Sequence, residues 1–129
     1  MKKILIIDDD RDFCAETAAL LGDEGYAVAA AHDGREGLAL AARGGFALVI
    51  LDLKLPGLGG IEILRCLRRG KPVPPVIVVS GSPSAAPLRP GAAAQGDPEE
   101  RRLLRRAAAV VPKPFDVEKL LRAVRDLIG

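Results

Sequence analysis

The chain has no tryptophan and only four aromatic residues, Phe13, Tyr26, Phe46 and Phe115. With 49% hydrophobic residues it still has material for a core. That core must be made of Leu, Ile, Val and Ala. Cysteine is equally scarce. Cys14 and Cys66 lie far apart and form no CxxC pair, which excludes a disulfide framework. Both are read as reduced thiols that serve as packing residues in a cytosolic protein. No apolar run is long enough to span a bilayer. The start, Met1-Lys2-Lys3-Ile4-Leu5-Ile6-Ile7, has the basic-then-apolar order of a signal peptide, but three aspartates end the apolar run too soon for a secretory segment. Charge is nearly balanced: 19 basic against 17 acidic residues leave +2, which argues neither for nor against nucleic acid. No GxxxxGK[ST] loop is present, so the chain has no evident means of using ATP. Gly57, Gly59 and Gly60 resemble part of a dinucleotide fingerprint, but Glu62 stands where its third glycine belongs. There is no internal repeat, and 129 residues suit one domain, 1–129.

Short apolar runs alternate with segments of helical period. Strands are expected at 3–8, Ala27–Ala31, 47–52, Val76–Ser80 and Ala109–Pro112. Helices are expected at 12–24, 35–43, 61–69, 98–108 and Val117–Ile128. Phe13, Thr17 and Leu20 mark the inner face of the first; Val117, Leu120, Leu121, Val124 and Ile128 mark that of the last. Asp33 with Glu36 reads as a capping-box variant, and Asp97-Pro98-Glu99-Glu100 as a helix start. Five strand–helix alternations with near-continuous apolar strands imply an α/β fold, a doubly wound parallel sheet with helices on both faces. Segment 81–96 is different: three prolines, three glycines and no periodic stripe read as a surface insertion, with a functional lid or partner surface as the alternative.

The chemistry gathers at strand ends. Ala47-Leu48-Val49-Ile50-Leu51 closes on Asp52, and Ile4-Leu5-Ile6-Ile7 closes on Asp8-Asp9-Asp10. Ser80 ends the fourth strand and Lys113 follows the fifth. In an open parallel sheet, ligands bind beyond the carboxyl ends of the strands. If the first and third strands are neighbours, three or four carboxylates share one crevice. Like charges at such range repel by about 4 kcal/mol per pair near a surface. A hard cation relieves that repulsion. Asp8, Asp9 and Asp52 against Lys113 leave two negative charges, which one Mg2+ balances. Magnesium favours one or two carboxylates plus waters and phosphate oxygens, so the site reads as a receiver of a phosphoryl group. Asp52 is the candidate nucleophile, with Lys113 offsetting charge on the transferring group and Ser80 donating to one of its oxygens.

The runs Ile6-Ile7-Asp8-Asp9-Asp10, Val49-Ile50-Leu51-Asp52-Leu53-Lys54-Leu55-Pro56-Gly57, Val78-Val79-Ser80-Gly81 and Pro112-Lys113-Pro114-Phe115 resemble the receiver (response-regulator, CheY-like) domains of two-component signalling. The resemblance covers nearly the whole chain. It implies a flavodoxin-like sheet of five strands in order 2-1-3-4-5 with five helices. It implies Asp52 as phosphoacceptor, Asp9 and Asp52 as direct Mg2+ ligands, Asp8 as a ligand through water and the Lys54 backbone carbonyl as a further ligand. It places Ser80 and Lys113 on the phosphoryl group, implies a cis Lys113–Pro114 bond, and names a phosphohistidine on a sensor histidine kinase or phosphotransfer protein as donor. Such a domain is a signalling switch, not an enzyme in the usual sense, though it takes part in its own phosphorylation and dephosphorylation.

Three departures stand out. Val110 occupies the position of an aromatic switch residue, Gly59-Gly60 replaces an Asp-Gly, and the stretch from Ser80 to Lys113 is long. They imply a reshaped output surface, with 81–96 replacing part of the fourth helix or preceding a shifted one. The alternative is a degenerate receiver acting as a phosphorylation-independent protein-binding module. An aspartyl phosphatase or mutase is disfavoured, because Lys54 stands where its second acid is needed. His32, the only histidine, reads as a solvated loop residue outside the acidic cluster. Arg101, Arg102, Arg105 and Arg106 read as a solvated basic face, with a docking surface for an acidic partner as the alternative. The output partner is a downstream effector protein or an output domain beyond the C-terminus. A second copy is a candidate partner through the face of fourth helix, fifth strand and fifth helix. No direct nucleic-acid or membrane contact is expected.

Overall fold

β-Branched and leucine-rich runs too short for helices make the sheet, and the segments between them cover it. The structure, a computed structural model, describes residues 2–52, 60–69, 74–80, 109–112 and 117–129. Outside these lie Lys54, Lys113, the Lys113–Pro114 bond, Phe115, the 81–96 segment and the expected 98–108 helix with its arginines, and so the expected reshaped output surface and the fourth-helix part of the homodimer face. The side chains of Ser80 and Val110 also fall outside the description.

The strands are β1 (Lys3–Ile7), β2 (Ala27–Ala31), β3 (Phe46–Asp52), β4 (Val76–Ser80) and β5 (Ala109–Pro112). They form one sheet in the order β2-β1-β3-β4-β5, with every neighbouring pair parallel. The helices are α1 (Arg11–Asp23), α2 (Gly34–Ala42), α3 (Gly60–Arg69) and the C-terminal helix Val117–Ile128. No described helix is long and apolar enough to cross a membrane.

The period-two alternation of the strands sorts the core into two layers. Leu5, Ile7, Val49, Leu51, Val76 and Val78 face one way and pack with Ile63, Leu64 and Leu67 of α3 and, half-buried, Leu38 and Ala41 of α2. Ile4, Ile6, Leu48, Ile50, Ile77 and Val79 face the other way, toward Cys14 and Leu21 of α1 and Leu120 and Val124 of the C-terminal helix. Burying each Leu or Ile contributes about 1.5–3 kcal/mol. On α1 the buried stripe is Cys14, Thr17 and Leu21, with Phe13 and Leu20 on its flanks. The expected stripe of Phe13, Thr17 and Leu20 is thus rotated by part of a turn.

Local sequence places the turns. After α1, the Gly25 N–H donates to the Gly22 carbonyl at 3.0 Å and the Tyr26 N–H to Leu21 at 3.1 Å. Gly25 has φ of 96°, a conformation open to glycine, and this is a Schellman stop. It turns the chain so that Tyr26 packs in the same layer as Leu21 and β2 begins. Arg125 of the C-terminal helix pairs with Glu24 at the end of α1. That pair is exposed and so adds little stability. On the opposite layer, α2 lies so close to β1 that a Cβ on Gly37 would fall 2.7 Å from Ile7 Cδ1.

Candidate functional site: an acidic crevice at the ends of the first and third strands

β1 has β2 on one side and β3 on the other, so the chain reverses its winding there and leaves a crevice at the carboxyl ends of the strands. Ile7 pairs with Leu51 in the register. The next residue on each chain is therefore an aspartate: Asp8 just past β1 and Asp52 at the tip of β3. Asp9 follows. Oxygen atoms of Asp8, Asp9 and Asp52 all lie within 4.8 Å of one another. Asp8 is 1% exposed and Asp52 5%, whereas Asp9 faces solvent. The expected convergence of Asp8, Asp9 and Asp52 is what the fold creates.

Asp10 does not join them. Its carboxylate turns away as the N-cap of α1 and accepts the Phe13 N–H at 3.0 Å. The crevice therefore holds three of the four carboxylates that the sequence made available. The sequence carries a cue, since Asp10 stands directly before the helix. Asp8 has a structural task too: its Oδ1 accepts the Asp10 N–H at 2.9 Å, which tightens the turn between β1 and α1.

The expectation for His32 needs correction. It is half-buried, and its Nδ1 lies 3.3 Å from the Asp8 carbonyl oxygen. The ring leans on the strand end that carries the acids, because β2 ends beside β1 and delivers the next residue there. The Asp8 N–H donates to the Ala31 carbonyl at 3.0 Å. The α2 cap holds this connection: Asp33 accepts the Glu36 N–H at 2.8 Å, and the Glu36 carboxylate reaches back to the His32 N–H at 3.5 Å. The capping box expected for Asp33 and Glu36 is present with its return arm one residue early.

Cys14 is buried on α1, and its thiol donates to the same Asp8 carbonyl at 3.4 Å. Cys66 is not buried: it is an exposed thiol on α3. It borders a cavity of about 380 Å³ lined by Leu38, Phe46, Val49 and Leu67. Phe46 begins β3, so this cavity sits at the opposite end of that strand from Asp52.

Two nearly buried carboxylates and one exposed one, all within reach of a single point, form a hard, oxygen-only donor set. Such sets suit Mg2+ or Ca2+ and not the softer metals that select sulfur or imidazole. The donor chemistry therefore fits the magnesium ion implied by the sequence motifs.

Known proteins agree with this architecture. Residues 4–125 match the family described as "Response regulator receiver domain". The chain is 38% identical over 122 residues to the uncharacterized transcriptional regulatory protein YkoG of Bacillus subtilis, covering 95% of this chain and 49% of that protein. It is 37% identical over 123 residues to the transcriptional regulatory protein HprR of Escherichia coli, covering 95% and 50%. The chain thus spans about half the length of these curated relatives. Among solved structures, the chemotaxis response regulator CheY4 of Vibrio cholerae superposes with a TM-score of 0.80 at 27% identity, covering 99% of each chain. A CheY-like receiver domain protein from Methanospirillum hungatei superposes at 0.78 with 29% identity, covering 98% of this chain and 92% of its own. The register that sets Asp8 beside Asp52, the strand order and these likenesses together make the chain a member of the response regulator receiver domain family.

Proposed function

We propose that the chain is a phosphoacceptor switch of a two-component system, receiving a phosphoryl group on Asp52 from a phosphohistidine of a sensor kinase or phosphotransfer protein. The observation that carries this reading is the meeting of Asp8, Asp9 and Asp52 oxygens within 4.8 Å at the end of the sheet. A carboxylate oxygen of Asp52 attacks phosphorus, the phosphorus–nitrogen bond breaks, and its electron pair stays on the donor imidazole. Asp8, Asp9 and Asp52, with the Lys54 backbone carbonyl, would hold Mg2+. The ion would supply positive charge to oxygens of the transferring group. Ser80 and Lys113 would contact that group, the hydroxyl by donating a hydrogen bond and the ammonium by offsetting charge. The rigid sheet beneath Asp52 keeps the nucleophile in place, since its own strand neighbours are fully buried.

The chain, residues 1–129, acts in this reading as one receiver unit in the cytoplasm. Two of its relatives are called transcriptional regulatory proteins and are about twice as long. We infer that its output is an attached domain or a separate effector, controlled by the phosphorylation state of Asp52.

Intact-mass measurement after incubation with Mg2+ and acetyl phosphate tests the reading. One phosphoryl adduct is expected on the wild type and none on Asp52→Asn. An unmodified wild type with every donor would sink the proposal in favour of the phosphorylation-independent binding module. Rapid turnover of a phosphoester would point to an enzyme instead.

A further inference from the structure

The backbone carbonyl of Asp8 is gripped by two side chains from different elements. Cys14 on α1 donates its thiol at 3.4 Å, and His32 from the turn between β2 and α2 approaches with Nδ1 at 3.3 Å. A carbonyl oxygen only accepts, so the His32 hydrogen bond requires the proton on Nδ1. On the other side of the same residue, the Asp8 N–H is tied to the Ala31 carbonyl at 3.0 Å. Asp8 is thus held at its amide, its carbonyl and its carboxylate, the last through the Asp10 N–H at 2.9 Å.

The consequence falls on Asp9. The Asp8 carbonyl belongs to the peptide plane that joins Asp8 to Asp9. Rotating that plane moves the Asp9 Cα and swings its carboxylate relative to Asp8 and Asp52. Asp9 is itself exposed, so little packing holds it. We infer that His32 is a positioning residue for the acidic site: its imidazole fixes the Asp8–Asp9 peptide and so keeps the Asp9 carboxylate preorganised for a divalent cation. Cys14 assists from the other side, with a weaker donor. The arm is itself anchored, because Glu36 reaches the His32 N–H and Asp33 caps α2 directly after it.

This inference rests on the proposed cation site, and the experiment separates the two. Mg2+ affinity is measured by isothermal titration calorimetry on wild type, His32→Ala and His32→Asn, with unfolding in chelator as a control. Asparagine can present its amide N–H near the position of Nδ1. Losing an outer partner of a metal ligand typically costs 10–100-fold in affinity. The lower end is expected here for His32→Ala, about tenfold weaker binding, because Cys14 remains. His32→Asn is expected to restore most of the affinity. Both variants should unfold in chelator within error of wild type, since the ring is only half-buried. Wild-type affinity in His32→Ala overturns the inference. So does a His32→Asn variant as weak as His32→Ala, because the hydrogen bond would then not be the cause. A wild type that binds no Mg2+ overturns the cation site itself, and the inference with it.

Discussion

Replacing Asp8 by asparagine should stabilise the fold in the absence of divalent ions and weaken its response to them. The side chain keeps its shape, and its oxygen still accepts the Asp10 N–H at 2.9 Å. What disappears is one negative charge from a residue only 1% exposed, beside Asp52 at 5%. The oxygens concerned lie within 4.8 Å. At that range two unit charges repel by about 3.5 kcal/mol at an effective dielectric of 20. Spreading of each charge over two oxygens, and the other interactions that Asp8 and Asp52 make, reduce the net gain to about 1–2 kcal/mol. For a chain of this length that corresponds to a rise of about 4–8 °C in Tm. The ion acts in the opposite sense. At ten times its dissociation constant it stabilises the wild type by about 1.4 kcal/mol, and the variant, with one anionic ligand fewer, by less. Thermal unfolding in EDTA and in millimolar MgCl2 reads both effects. An Asp8→Asn variant less stable than wild type in EDTA, or one with an undiminished magnesium response, refutes the argument that repulsion among these carboxylates is what the ion relieves.

Gly37→Ala should lower Tm. Its Cβ would lie 2.7–2.8 Å from three carbons of Ile7, a fully buried branched side chain with no room to turn away. Overpacking of about 1–3 kcal/mol outweighs the helix-propensity gain of about 1 kcal/mol. Gly22→Ala on α1, where nothing lies within 4 Å, should instead raise Tm, and the opposite signs in one unfolding series check the packing argument. Asp10→Ala should lose about 1 kcal/mol of helix capping yet keep the magnesium-dependent rise in Tm, with Asp10→Ser restoring stability. A lost magnesium response in Asp10→Ala would show that Asp10 belongs to the ion site after all.

Much of this was legible along the chain because it is local. Alternating apolar runs and helix-period segments report their own secondary structure, and a strand buried on both faces has no polar positions to confuse the reading. Asp8 and Asp52 could be singled out because a carboxylate that closes a buried strand has few structural excuses. Asp33 could be read as a cap because capping partners lie three residues apart. The expected bounds hold for β2, β4, β5 and the C-terminal helix, and move by one residue at the end of β1, the start of β3, both ends of α1 and α2 and the start of α3.

The chain by itself therefore determined the elements, their parallel winding and the identity of the acids, since those depend on short-range pattern and residue type. Only the tertiary structure decided how the acids divide their labour. Asp10 became a helix cap instead of a fourth site carboxylate, because α1 begins immediately behind it. His32, 24 residues from Asp8, came to rest on the Asp8 carbonyl because β2 pairs with β1 and ends beside it. Gly37 came to face Ile7 at a distance that leaves no room for a Cβ, because α2 lies against a branched side chain of a strand thirty residues earlier. Contacts of that kind depend on register and on which faces meet, and no periodicity within one segment records them.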